Sequence, residues 1–220
     1  MFRTHRSRAA IGADSAASRN AFVWLVPILL VAMFPTVSAL GQIPISIPLF
    51  GAEPEAEITG GAAISMEDLD GVIGPEWADS SAQTMRLGRY GATVYQKRDD
   101  AYLYVAMVIE TNRSFPRGFE AFLIFDNGDG RDYDRGDDML LVQENDGEAE
   151  DADYYYMDLY DFRLDRRTGG QANAHGAGRY DETSRNYVFE FRKELESGDP
   201  RDEQLCTGCD FLVIYGWASY

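Results

Sequence analysis

Ala101-Tyr102-Leu103-Tyr104-Val105-Ala106-Met107-Val108-Ile109 is a nine-residue run without a charge. β-Branched and aromatic residues dominate it, which predicts a strand. Tyr102, Tyr104, Ala106 and Val108 alternate with Leu103, Val105, Met107 and Ile109, so both faces are apolar. A strand of that kind is central and covered on both sides.

Reading outward, Ala92 to Lys97 predicts a preceding strand, joined through the turn Arg98-Asp99-Asp100. Downstream come Phe119 to Phe125, Met139 to Gln143, Tyr154 to Leu164, Asn186 to Arg192 and Phe211 to Trp217. Tyr187, Phe189 and Phe191 share one face by strict alternation. Short strands at this spacing, without helical periodicity, predict an all-β antiparallel β-sandwich, immunoglobulin-like or jelly-roll-like. Pro75 to Asp79 reads as one helical turn. Glu144 to Asp153 reads as a solvated acidic turn, and Arg166 to Gly178 as a glycine-rich loop. No internal repeat is found.

The net charge of −17 is unevenly placed. Residues 1–20 contribute +3, from Arg3, Arg6, Arg8 and Arg19 against Asp14, which leaves −20 on the other 200 residues. A domain this acidic lacks the basic face that phosphate binding requires, which excludes nucleic acid as a partner. The arginines precede the uncharged run Ala21 to Pro35, and Val37-Ser38-Ala39 offers small residues for cleavage. The uncharged stretch from Asn20 to Ala52 is also long enough to span a bilayer. Residues 1–40 therefore read as a hydrophobic signal or anchor helix, and an uncleaved segment makes the membrane a partner. Either way the domain is extracellular or at the cell surface. Residues 41–62 hold Ile43-Pro44 and Ile47-Pro48 and read as a spacer, so the sandwich domain is expected over 63–220.

Cys206 and Cys209 are the only cysteines, and they have acidic neighbours. Outside the cell they read as a small-loop disulfide, with a reduced turn as the alternative and metal or redox chemistry behind both. Between two predicted strands, Asp126 to Asp138 packs six aspartates and three glycines. Crowded carboxylates on a glycine-rich loop suit Ca²⁺, which takes six to eight oxygens in flexible geometry. The loop is not an EF-hand, since the spacing and the closing Glu are missing. The candidate ligands are Asp126, Asp129, Asp132, Asp134, Asp137 and Asp138. A solvated acidic turn is the alternative.

Four motifs follow one another in an order seen elsewhere. Leu69-Asp70-Gly71-Val72-Ile73 with Glu76-Trp77-Ala78-Asp79, and then Lys97 to Ala106, resemble the opening and first hairpin of family-9-like carbohydrate-binding modules. Phe122 to Asp126 with Gly136-Asp137-Asp138 resembles their next hairpin. Val188 to Asp202, containing Ser197-Gly198-Asp199-Pro200-Arg201-Asp202, resembles a late motif of theirs. DOMON-type domains and the haem-binding subunit of ethylbenzene-dehydrogenase-like enzymes share that last motif. The resemblance covers about residues 68–217.

For the carbohydrate-binding group, it implies an extracellular β-sandwich with bound calcium and an aromatic site that stacks on sugar. Trp77 and Trp217 are the tryptophans available, though Trp77 reads first as a core plug. Tyr154, Tyr155, Tyr156 and Tyr160 offer another stacking face, with ordinary strand positions as the plainer reading. For the haem group, the resemblance implies a b-type haem held by a methionine and a lysine. Met107 and Lys193 are the candidates; core filler and a surface charge are their plainer readings. His175 lies in Ala174-His175-Gly176-Ala177-Gly178 and reads as an exposed loop histidine able to meet a ligand or metal.

No Gly-x-Ser-x-Gly elbow, His-Glu-x-x-His, P-loop or dinucleotide fingerprint occurs. A non-enzymatic module binding a carbohydrate or a cell-surface polymer is expected. A haem electron-transfer domain and a structural or adhesive surface domain are the alternatives.

Overall fold

The computed structural model describes residues 3–10, 56–116, 118–126, 137–145, 148–158, 161–205 and 210–219. Among them are thirteen strands: β1 Arg3–Ala10, β2 Ala56–Glu57, β3 Thr59–Gly60, β4 Ser81–Leu87, β5 Tyr90–Arg98, β6 Tyr102–Glu110, β7 Phe119–Asp126, β8 Asp138–Asn145, β9 Glu148–Asp158, β10 Asp161–Leu164, β11 His175–Asp181, β12 Asn186–Glu194 and β13 Asp210–Ser219. One 3-10 turn, Pro75–Trp77, and one helical turn, α1 Asp165–Thr168, complete the elements. One sheet runs β10-β9-β8-β7-β13-β1-β2. The other runs β11-β12-β6-β5-β3, with β4 on the same edge of β5 as β3. The short β1/β2 and β3/β5 pairings are parallel, and the other described pairings are antiparallel.

The run that decides the fold is β6, flanked by β5 and β12. Leu103, Val105, Met107 and Ile109 face the other sheet and join the main core. Tyr104 and Ala106 face outward into a second cluster with Ile64, Leu69 and Trp77. Each large apolar side chain buried this way is worth about 1.5–3 kcal/mol. The main core is closed by stacked rings. Phe119 lies 5.4 Å from Trp217 at an interplanar angle of 5°, and 4.5 Å from Tyr187 at 16°.

Strands β4 and β11 depart from the sequence expectation. Ser81–Leu87 is mostly polar and buries only Met85 and Leu87, yet it pairs along β5. His175–Asp181 begins in the stretch expected as a loop, Arg166 to Gly178, but pairs with β12 over its whole length. Its glycines are there for close approach: a Cβ on Gly176 would run into Val142. The expected solvated turn is also corrected. Glu144 and Asp153 are buried, and only residues 146–147 of that stretch lie outside the described structure.

The N-terminal expectation changes in part. Arg3–Ala10, expected to lead a signal or anchor helix, is a strand paired with β13, so no helix is found there among the described residues. The apolar run 21–35 lies outside the described residues. Among the described residues no helix is long and apolar enough to cross a membrane. Ahead of residue 63, β2 and β3 pair with neighbouring strands and Ile58 is buried.

A buried carboxylate organises the outer cluster. Glu190 on β12 accepts from the backbone N–H of Asp70 (2.9 Å) and of Gly71 (2.6 Å), and from Trp77 Nε1 (2.7 Å). This explains Asp70-Gly71 and Trp77 at the opening of the domain: they wrap one acid. Gly71 sits at φ +77°, where a Cβ would lie 2.7 Å from that of Arg179. Burial pushes the Glu190 carboxyl up to about 7, against the pull of the Trp77 and Gly71 donors. Glu190→Ala leaves three donors without their acceptor. It is expected to cost at least about 3 kcal/mol, read as a lower urea midpoint. An unchanged midpoint would show that the opening segment does not depend on this acid.

Candidate metal centre

Strand register sends acids into the sandwich interior at one end. Asp138 pairs with Phe125, a core residue of β7, and Asp153 pairs with Leu140, a core residue of β8. Directly opposed residues share a face, so both aspartates point between the sheets. From the other sheet, Lys193 continues the inward face of Tyr187, Phe189 and Phe191. Its ammonium meets Asp138 Oδ2 as an ion pair and lies 3.8 Å from Asp202 Oδ2. Two connections close this end. The turn after β10 brings Asp165, and the Ser197-Gly198-Asp199 segment after β12 brings Asp199 and Asp202.

Asp138, Asp153 and Asp202 offer carboxylate oxygens within 4.8 Å of one another, and so do Asp165, Asp199 and Asp202. All five are buried. Asp153 Oδ1, Asp202 Oδ1 and both oxygens of Asp165 are buried without a hydrogen-bond partner, and so is Asn173 Oδ1. The remaining oxygens are held in place. Asp153 Oδ2 accepts from the backbone of Asn173 (3.3 Å) and Ala174 (3.2 Å). Asn173 Nδ2 donates to Asp202 Oδ2 at 2.7 Å, and Asp199 accepts from the backbone of Gln171 and Arg201.

Buried carboxylates with orphaned oxygens are costly unless a cation or a proton occupies them. Burial, reinforced by the neighbouring acids, pushes Asp153 up to about 8 and Asp165 up to about 7. Burial also raises Asp138, though Lys193 pulls the other way. The residues fit a hard divalent cation. The donors are oxygens, held rigidly, and several are unused.

The sequence-predicted residues divide. Asp138 lies at this centre and Asp137 is buried beside it, while Asp129, Asp132 and Asp134 lie outside the described residues, as does the side chain of Asp126. Trp77 and Trp217 are corrected as ligand-stacking residues. Both are buried, Trp77 on Glu190 and Trp217 with Nε1 donating to the Leu87 carbonyl at 2.9 Å. Tyr154 is half-buried on β9; the side chains of Tyr155 and Tyr156 and all of Tyr160 lie outside the described residues. His175 is in β11 rather than a loop, half-buried, with Nδ1 3.6 Å from Asp151 Oδ2. Met107 and Lys193 are not brought together. Met107 pairs with Phe189 and Lys193 with Leu103, four positions or about 13 Å along the same strands. Lys193 is also a sealed ion-pair partner rather than a surface charge. Cys206 and Cys209 lie outside the described residues.

Sequence reading missed Asp153 and Asp165 and did not assign a role to Asp199 and Asp202. A signal existed for three of the five acids, because Asp138, Asp199 and Asp202 fall in the two motifs that resemble other modules. Away from this centre, a cleft of about 340 Å³ is lined by Asp100, Ala101, Tyr102, Glu194, Leu195 and Glu196.

No family model matches the chain, and no curated protein matches it. Two solved structures are similar to it. One is a family 9 carbohydrate-binding module from Caldicellulosiruptor kristjanssonii in complex with cellotriose, at 15% identity. It covers 72% of this chain and 81% of that one, with a TM-score of 0.42. The other is a family 9 module from the same organism in complex with glucose, at 16% identity. It covers 72% and 83%, with a TM-score of 0.38. At this identity the likeness concerns the β-sandwich alone.

The raised carboxyls set a pH dependence for the metal-free protein. The folded state holds protons that the unfolded chain releases near pH 4, so their stabilising contribution is full below about pH 4. It is lost as the pH rises through about 7 to 8. Melting temperatures in chelator are expected to fall between about pH 5 and pH 8, and Asp165→Asn is expected to shrink that fall. A profile unchanged by Asp165→Asn would count against a titrating acid centre.

Proposed function

We propose that this chain is a non-catalytic extracellular or cell-surface binding module. Its sandwich is stapled by Ca²⁺ at the buried acid end, and its ligand is a carbohydrate or a related surface polymer. The observation that carries the reading is the convergence of five buried aspartates from β8, β9, α1 and the segment after β12, with oxygens left unpaired. An all-oxygen, carboxylate-rich set suits Ca²⁺. Zn²⁺ prefers nitrogen and sulfur, and Mg²⁺ keeps most of its waters and takes one or two carboxylates. When bound, the cation supplies charge neutralisation. The chain's own residues do the rest: Asn173 and the backbone of Gln171, Ala174 and Arg201 orient the carboxylates. The core residues Phe125 and Leu140 flank Asp138 and Asp153 in register.

The carbohydrate reading is supported by the motif resemblance and by the acidic cleft beside Tyr102. Glu194, Glu196 and Asp100 offer acceptors there for a hydroxyl-rich ligand. The carbohydrate site itself is assigned no stacking tryptophan, because both Trp77 and Trp217 are enclosed.

Ca²⁺ at a hundredfold excess over its Kd is expected to stabilise the fold by about 2.7 kcal/mol, or about 5–10 °C in Tm, relative to chelator. An unchanged Tm would remove the calcium claim. A glycan array is expected to return soluble oligosaccharide binders, whose affinity Tyr102→Ala and Glu194→Gln lower about tenfold. An array without binders would count against the sugar.

A further inference from the structure

We infer that the buried acid end is a two-cation centre, with Asp202 bridging two divalent ions and Lys193 serving as a fixed third positive group. The inference rests on the cation-binding reading above and adds its stoichiometry and internal layout.

The acids do not gather around one point. They fall into two groups, Asp138–Asp153–Asp202 and Asp165–Asp199–Asp202, each with ligand oxygens within 4.8 Å of one another and with Asp202 common to both. A sphere of that size is the footprint of one Ca²⁺, whose ligands sit 2.3–2.6 Å from the ion. Each group also has its own orphaned oxygens. Asp153 Oδ1 belongs to the first, both oxygens of Asp165 belong to the second, and Asp202 Oδ1 is shared. Asp165 and Asp153 are 1% and 3% exposed, so both acids are withdrawn from bulk solvent. Asn173 Oδ1, equally unpartnered, adds a neutral donor beside Asp202.

Charge gives the same count. The five carboxylates of the two groups, when ionised, and the Lys193 ammonium together sum to −4. One divalent ion leaves −2 there, and two bring it to zero. Lys193 lies within ion-pair reach of Asp138 and Asp202 and acts on Asp165 only at longer range. The first group, with Asp138 in a direct ion pair, is therefore neutralised more fully without metal than the second. That asymmetry predicts that the Asp165 side depends more on metal.

Native mass spectrometry of the full chain, titrated with Ca²⁺ and checked by equilibrium dialysis, tests the count. The wild type is expected to bind two Ca²⁺ at this centre, Asp165→Asn one fewer, and Asp202→Asn two fewer. Circular dichroism confirms that each variant is folded. If Asp202→Asn does not fold, the Asp165→Asn count decides alone. A wild-type count of one overturns the bridged pair and leaves the single-cation reading standing. A count of zero overturns both. Two ions in the wild type with no loss in Asp165→Asn also overturns the proposal, because the second ion then sits elsewhere.

Discussion

The ion pair between Lys193 and Asp138 joins the two sheets at an end of the sandwich where the interior is polar. Much of the local architecture answers to it. β8 must start at Asp138 with that residue turned inward, and β12 must carry its inward alternation to Lys193. The connections that follow β10 and β12 then fold back over the pair with three more acids. Among the described residues one ammonium faces five buried carboxylates, an imbalance that protons or a cation can offset.

The outer face of the six-stranded sheet solves a smaller version of the same problem without metal. Glu190 is a single buried acid, and three N–H donors from the opening segment surround it. Lys97 is a single buried cation, answered by Asp79 at 2.9 Å and by the Glu76 carbonyl. Asp99 accepts from the backbone of Ala101 and Tyr102 and from the Tyr104 hydroxyl, which fixes the β5–β6 turn. The shared motif residues of the first half are thus fold-forming. They wrap, cap and neutralise, and none needs a ligand to explain it. Those of the second half, Asp138, Asp199 and Asp202, converge on the acid-rich end, where one ammonium meets five carboxylates.

How much was legible depended on whether a residue's role is local. The strands β5 to β8, β12 and β13 follow from alternation and β-propensity, and the 3-10 turn at Pro75–Trp77 from turn chemistry. β4 and β11 escaped because their outer faces are polar or glycine-rich, and their strand state comes from neighbours that pair with them. The enclosure of Trp77 by Glu190 involves residues 113 apart in sequence. Its stacking alternative could be set aside only once that contact was seen. Asp153 shows the limit most directly. Within Glu-Asp-Ala-Asp it looks like one more solvated acid, and only the register with Leu140 turns it inward.

By itself the sequence determined the fold class, the central place of β6, and the strong acidity of the domain. These depend on period, composition and near neighbours. Tertiary structure alone decided which of the many acids matter. Asp138, Asp153, Asp165, Asp199 and Asp202 come from separate elements and are no richer in charge than the loop before them. What distinguishes them is burial and convergence across two sheets. Those are properties of strand register and chain return, to which local sequence patterns are blind.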